Sequence, residues 1–167
     1  SSAFSAPIID VITGADMDGM DITATFGDGH TETLEWSVIS TDGGVPFGEG
    51  YKGGVSSDSF SLTQQGFTFG NYVDGPLGAW TLTNKYESDL VKLVIDAMAG
   101  NIVFDVVQGA EITPGSDLGK SFLYNNDGTV LHHYYDDEYN APDLWGSLTL
   151  YLGDFGADET LQFIADT

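Results

Sequence analysis

The residues best suited to chemistry in this sequence are carboxylates, and they form two dense clusters. The first has the spacing Asp16-x-Asp18-Gly19-x-Asp21. Carboxylate oxygens are the ligands that calcium prefers in proteins, so this turn is a candidate calcium loop. It is not an EF-hand, because its glycine comes too early and Gly27 stands where the bidentate glutamate belongs. The alternative is a turn in which aspartate side chains hydrogen-bond to their own backbone.

The second cluster is the run Asp136, Asp137 and Glu138, which we predict to lie in a loop. Carboxylates this close repel one another, and a bound cation would relieve the repulsion. The run is therefore a second candidate calcium site, with a solvated loop as the alternative. The segment 125–128, Asn-Asn-Asp-Gly, has the composition of a hairpin turn instead.

Aromatic residues gather around the second acidic run, namely Tyr134, Tyr135, Tyr139 and Trp145. Exposed aromatic rings can stack on the apolar faces of sugars, and they have a polar atom to offer as well. These four residues are therefore a candidate glycan-binding surface. The alternative is that part of the group packs in the core, because side chains alternate between the two faces of a strand.

The three histidines do not indicate a catalytic or metal-binding pair. His132 and His133 are adjacent in a predicted strand, so their side chains point to opposite faces, and His30 lies in a predicted turn. The chain has no Gly-x-Ser-x-Gly elbow and no His-Glu-x-x-His motif. With 26 acidic residues, no pair of carboxylates stands out as a glycosidase pair. We therefore expect a protein that is not an enzyme.

Charge excludes several classes of partner. The 167 residues carry 26 acids and only four Lys plus Arg, which gives a formal net charge of −22. Nucleic acids and anionic membrane surfaces are bound by basic residues, so neither is an expected partner. Self-repulsion at this charge makes bound cations, calcium above all, a reasonable expectation. The chain has no cysteine, and it has no apolar run long enough for a membrane span. Its first residues, Ser-Ser-Ala-Phe-Ser, are consistent with a mature secreted protein.

The remaining sequence predicts the elements that must position these residues. Short runs rich in β-branched and aromatic residues alternate with Gly, Asn and Asp turns, and the segment 78–106 contains three of them in succession. The segment 31–39 is predicted as one strand that returns from a hairpin at 27–30. We predict an all-β fold with about ten short strands in an antiparallel two-sheet β-sandwich of jelly-roll type. The sandwich is expected to span 14–167, behind an N-terminal arm at 1–13.

The N-terminal arm is uncharged up to Asp10 and ends in an apolar, β-prone run formed by Ile8, Ile9, Val11 and Ile12. Such a segment can add as an extra strand to the open sheet edge of a neighbouring molecule. We therefore predict that the arm drives self-assembly into a filament or an array. The alternative is that this run is the first strand of its own domain.

A series of short motifs in a fixed order resembles the extracellular domains of PEP-CTERM (exosortase-sorted) bacterial proteins. The likeness covers about 20–167 and rests on the motifs Ile22-Thr-Ala-Thr-Phe26-Gly-Asp28-Gly29, Glu35-Trp36, Phe60-Ser-Leu62, Gly66-Phe-Thr-Phe69, Trp80-Thr-Leu82-Thr-Asn84, Val94-Ile95-Asp96, Gly100-Asn101, Val103-Phe104-Asp105, Pro114-Gly115-Ser116, Leu118-Gly119, Asp143-Leu144-Trp145-Gly146-Ser-Leu148 and Phe163-Ile-Ala165-Asp166-Thr167. The resemblance implies secretion, a β-sandwich and a place at the cell surface or in the polysaccharide matrix of a biofilm. It implies no reaction and no site residues. The Pro-Glu-Pro motif, apolar segment and basic tail of such proteins are not in this sequence.

Together these features predict a secreted, non-enzymatic structural protein of the cell surface or extracellular matrix that assembles with itself. A monomeric carbohydrate-binding module for extracellular polysaccharide is the alternative.

Overall fold

The computed structural model of the protein describes residues 12–42, 49–69, 77–107, 119–125, 127–140 and 143–167. In these residues the fold is all-β, and twelve strands form two antiparallel sheets, as predicted for a β-sandwich. The strands are β1 (Asp21–Phe26), β2 (Thr31–Glu35), β3 (Ser37–Thr41), β4 (Tyr51–Ser56), β5 (Phe60–Gln65), β6 (Trp80–Asn84), β7 (Leu90–Asp96), β8 (Phe104–Asp105), β9 (Leu123–Tyr124), β10 (Val130–Asn140), β11 (Leu144–Leu152) and β12 (Thr160–Ile164). Short 3-10 turns lie at Gly14–Asp16 and Met98–Gly100.

The first sheet has the strand order β10-β11-β7-β1-β2, with β8 paired to β11. The second sheet has the order β3-β4-β5-β6-β12-β9. The predicted three-strand segment 78–106 supplies β6, β7 and β8, and it therefore contributes to both sheets. The predicted hairpin joins β1 to β2, and Gly29 takes the left-handed φ of 93° that this turn requires.

The core lies between the sheets and is built by strand alternation. In β1, for example, Ile22, Ala24 and Phe26 are buried while the residues between them are half-buried. Trp36 and Trp80 meet at the centre, with ring centroids 5.3 Å apart. Their indole nitrogens donate hydrogen bonds to the carbonyl oxygens of Gly14 (2.7 Å) and Ala165 (2.9 Å), so the two largest core side chains leave no polar atom unsatisfied.

Three predictions about individual elements are wrong. The segment 31–39 is not one strand: the chain passes from the first sheet to the second at Trp36, whose indole ring enters the core. The turn at 125–128 does not close a hairpin, because β9 and β10 lie in different sheets. The acidic run 136–138 is not a loop but part of β10, where pairing with β11 overrides the low strand propensity of aspartate.

Within the described residues, no helix is both long and apolar enough to cross a membrane.

Candidate glycan-binding face

The outer face of the first sheet carries an open groove on strands β10, β11 and β7. Its lining is formed by six side chains, Lys92, His132, Tyr134, Asp136, Thr149 and Tyr151, which we call the tyrosine groove. Strand register brings them together from three separate parts of the sequence. His132 lies opposite Tyr151, which in turn lies opposite Lys92, and Tyr134 lies opposite Thr149. Directly opposite residues in antiparallel strands share a face, so these side chains form rows on one surface.

Alternation along β10 decides which of its aromatic residues reach this surface. His132 and Tyr134 lie on the groove side, whereas His133 and Tyr135 lie opposite Leu150 and Leu148, which are buried in the core. The structure therefore places the two adjacent histidines on opposite faces of the strand.

The aromatic rings of the groove are exposed and adjacent. Tyr134 is 50% exposed and Tyr151 is 39% exposed. Their ring centroids lie 6.0 Å apart at an interplanar angle of 81°, and the His132 ring lies 6.1 Å from that of Tyr134. The two adjacent exposed rings offer a continuous aromatic surface to the apolar face of a ligand.

Polar groups surround these rings. The Lys92 ammonium lies 5.4 Å from the centroid of the Tyr151 ring, which is within cation–π range. Thr149 adds a hydroxyl, which can both donate and accept, and Asp136 adds a carboxylate acceptor. The groove thus combines apolar ring surface with both kinds of hydrogen-bonding group.

One neighbouring row of the same sheet is strongly acidic. The register runs from Asp136 through Ser147, Asp96 and Asp21 to Glu35, so four of five successive cross-strand positions carry a carboxylate. The row adds negative potential along one side of the groove, and a ligand that carries its own negative charge would be repelled.

The inward side of β10 is held by aromatic packing. The Tyr135 ring lies 5.5 Å from that of Phe104, and the His133 ring is stacked 4.6 Å from that of Phe122. Desolvation raises the pKa of Tyr135 and lowers the pKa of His133. The strand that presents Tyr134 is therefore held from behind by the half-buried Tyr135 ring and by the His133 ring, which stays exposed at one side.

Of the four aromatic residues predicted to bind glycan, the structure places only Tyr134 in the groove. Tyr135 faces inward, and its hydroxyl is buried with no hydrogen-bond partner among the described residues. Tyr139 and Trp145 are half-buried, and Trp145 lies opposite Glu138 and Phe104. Sequence reasoning missed Tyr151, although Tyr151 alternates with buried leucines in β11 and could have been recognised as outward-facing. It also missed Lys92 and Thr149, because only the strand order brings these two residues to Tyr134.

The first predicted calcium cluster is divided between local roles. The Asp16 carboxylate accepts hydrogen bonds from the backbone nitrogen and the hydroxyl of Thr13, both at 2.8 Å, so it caps the 3-10 turn. Asp18 is exposed in the following turn, and Asp21 begins β1. This arrangement satisfies Asp16 within its own turn.

The second predicted calcium cluster is extended along β10. Asp136 lies opposite Ser147 and Glu138 lies opposite Trp145, whereas Asp137 takes a left-handed φ of 57°. In the part of the chain that the structure describes, no three His, Cys, Asp or Glu side chains are grouped closely enough to hold a metal ion. Calcium binding stays a prediction.

The predicted assembly segment lies mostly outside the described residues, which include only Ile12 of its four members. The carbonyl oxygen of Ile12 accepts a hydrogen bond from the nitrogen of Thr68 at 3.3 Å, and Thr13 forms an isolated bridge with Phe67. The end of the arm is therefore in contact with its own domain, and strand addition by Ile8, Ile9 and Val11 stays a prediction.

Comparison with protein-family models, with curated proteins and with solved structures gives no match for this chain. The resemblance to PEP-CTERM ectodomains therefore stays a prediction from sequence motifs.

Proposed function

We propose that this protein binds extracellular polysaccharide through the tyrosine groove, as a secreted, non-enzymatic component of the cell surface or extracellular matrix. The observation that supports the proposal most directly is the pair of exposed rings, Tyr134 and Tyr151, in an open groove with hydrogen-bonding groups beside them. A pyranose ring has the same two properties, because its axial C–H bonds form an apolar face and its hydroxyls lie around the edge.

The groove is well suited to recognition without reaction. Its side chains stand on paired β-strands, so little ordering is needed when a ligand binds. It is also open to solvent along the sheet, whereas catalysis of glycoside cleavage benefits from a site that excludes water and holds two carboxyl groups across the bond.

Charge selects the class of polysaccharide. The chain carries a net charge of −22, and the acidic row borders the groove. Uronate-containing or sulfated chains would be repelled at low ionic strength. The expected ligand is therefore a neutral polysaccharide, and Lys92 and Thr149 would bind its hydroxyls.

The test is affinity electrophoresis and calorimetry with soluble neutral polysaccharides, such as a β-glucan, a mannan and a galactan, and with alginate as an anionic comparison. We expect at least one neutral polysaccharide to bind and alginate not to bind. Tyr134→Ala or Tyr151→Ala removes one stacking ring, worth about 0.5–1.5 kcal/mol, which is roughly a 2- to 13-fold rise in Kd.

Leu131→Ala is the matched control. Leu131 is also a large exposed side chain of β10, at 57%, but it does not line the groove. The proposal is wrong if no neutral polysaccharide binds, or if Leu131→Ala weakens binding as much as the two tyrosine substitutions do.

A further inference from the structure

The edges of the two sheets differ in how they are protected against pairing with another chain. Within the described residues, the edge strands are β10 and β2 in the first sheet and β3 and β9 in the second. An open edge exposes unpaired backbone N–H and C=O groups, and proteins usually block it with charge, with bulges or by keeping the strand short. β10 contains three acids, β2 contains two, and β9 is only two residues long. These three edges are protected.

Strand β3 is the least protected of the four edges. Its sequence is Ser-Val-Ile-Ser-Thr, which contains no charged residue and is rich in β-branched side chains. Val38 is 43% exposed and Ile39 is 56% exposed. A bulge at Ile39 interrupts the register with β4, and of the three protections it is the only one that β3 has. An open, apolar, uncharged edge of this kind is a site for strand addition.

The sheet behind this edge has an unusual charge distribution. None of the 26 acids of the chain lies in the six described strands of the second sheet, where Lys52 is the only charged residue. The strands of the first sheet carry eight acids, namely Asp21, Glu32, Glu35, Asp96, Asp105, Asp136, Asp137 and Glu138. The strand residues of two copies, each with a net charge of −22, therefore repel one another least when the second sheets approach, and the acids nearest to β3 are Glu35 and Asp42 beyond its two ends.

We propose that β3 pairs antiparallel with β3 of a second copy, so that the two second sheets join into one continuous sheet. Complete overlap of the five-residue strand centres the pairing on Ile39. Ser37 then lies opposite Thr41 of the copy, and Ile39 lies opposite Ile39. No acid lies within the paired segments, and Ile39 of each copy covers Ile39 of the other, whereas Val38 lies opposite Ser40.

In the proposed contact, both copies use the same strand, β3. Such an isologous pairing closes as a dimer with two-fold symmetry and does not extend into a filament. It differs in this respect from addition of the N-terminal arm, which would generate an open chain of molecules. Because both copies are acidic, dimer formation should strengthen as salt screens their repulsion.

The first experiment measures the oligomeric state by analytical ultracentrifugation across protein concentration, in 0.05 M and 0.5 M salt (about 14 and 4 Å of Debye length). We expect a dimer that becomes more stable as the salt concentration rises. In Ile39→Lys the Kd of the dimer should rise at least about tenfold, because the substitution places two like charges face to face. Leu131→Lys, at an equally exposed apolar residue of the protected strand β10, should leave the dimer unchanged. Melting temperatures of all variants verify that each is folded.

The second experiment uses the absence of cysteine from the chain. Under mild oxidation, Ile39→Cys should form a disulfide-linked dimer, because opposite Cα atoms in an antiparallel pair lie about 4.5–5.5 Å apart. Ser37→Cys should form much less of this disulfide-linked dimer, because the proposed register places Ser37 opposite Thr41 of the second copy and far from the second Ser37. Equal cross-linking of the two variants would refute the register and the pairing.

Two other outcomes would overturn the proposal. One is a protein that remains monomeric at all concentrations and salt levels. The other is a dimer or polymer that is lost when residues 1–11 are deleted, because the occupant of the edge would then be the N-terminal arm of a neighbour. Neither outcome bears on polysaccharide binding, which takes place on the other sheet.

Discussion

A buried carboxyl group near the end of the chain should make stability fall as pH rises. Asp166 follows β12, and its Oδ1 accepts a hydrogen bond from the hydroxyl of Thr68 at 3.2 Å. Burial raises the pKa of Asp166 to about 7, against the smaller opposing effects of the Thr68 hydrogen bond and the Lys120 charge. The folded protein therefore keeps this carboxyl protonated at pH values where the unfolded chain has already lost the proton.

The sign and size of the effect follow from linkage. The ordinary pKa of the group is 3.8, so between about pH 4 and pH 7 the folded state binds one proton more than the unfolded state. The free energy of unfolding then decreases as pH rises through this range and levels off above it. At 1.36 kcal/mol per pKa unit, the loss is on the order of 4 kcal/mol.

Asp166→Asn is the appropriate perturbation, because asparagine has the shape of the protonated carboxyl and can still accept the Thr68 hydrogen bond. Urea unfolding is measured at one-unit steps from pH 4 to pH 8. The variant should match the parent protein near pH 4 and become more stable than the parent by a few kcal/mol at pH 8.

Asp58→Asn is the control, because Asp58 is exposed and its loss reduces the net charge by the same amount. A general relief of repulsion would appear in both variants. If Asp166→Asn and Asp58→Asn change stability equally at every pH, the buried carboxyl is not the cause and the reasoning is refuted.

Three further predictions concern the core and the β1–β2 hairpin. Trp36→Phe leaves the carbonyl of Gly14 without its indole donor and should lower the free energy of unfolding by about 1–3 kcal/mol in urea titrations; an unchanged midpoint would contradict this. Gly53→Ala should lower the free energy of unfolding by about 3 kcal/mol, because the added Cβ overlaps the Gly14 carbonyl and the Trp36 indole nitrogen. A thermal midpoint equal to that of the parent protein would show that this contact is not tight. The pKa of Asp28 is held below its ordinary value by the backbone N–H of His30 and, second, by the Tyr86 hydroxyl at 2.9 Å. Tyr86→Phe should therefore raise the pKa of Asp28 in an NMR titration without restoring the ordinary value, and an unchanged pKa would exclude the Tyr86 hydrogen bond in solution.

Local pattern was enough to predict most of the strands. Alternation and turn composition are properties of neighbouring residues, so the β1–β2 hairpin and the three strands of 78–106 follow from the sequence. The same reasoning failed at Trp36, where the chain changes sheets within an apparently continuous strand. That change depends on where a large ring can be buried, which no local pattern contains.

The candidate glycan site shows the same division. Sequence reasoning selected Tyr134 because aromatic residues cluster there, and alternation predicted that its neighbour Tyr135 faces the other way. It could not show which of the two faces is the outer one, nor that Tyr151 and Lys92 lie beside Tyr134. Those facts depend on pairing between strands that are far apart in the chain.

Charge is the clearest example of what each level determines. Composition alone establishes a net charge of −22, and with it the classes of partner that the protein would repel. Strand order alone decides that, in the described residues, the acids of the strands lie in the first sheet and the uncharged strand β3 stands at an edge of the second. Net charge is a sum over residues and needs no fold, whereas a surface exists only after distant strands have been placed side by side.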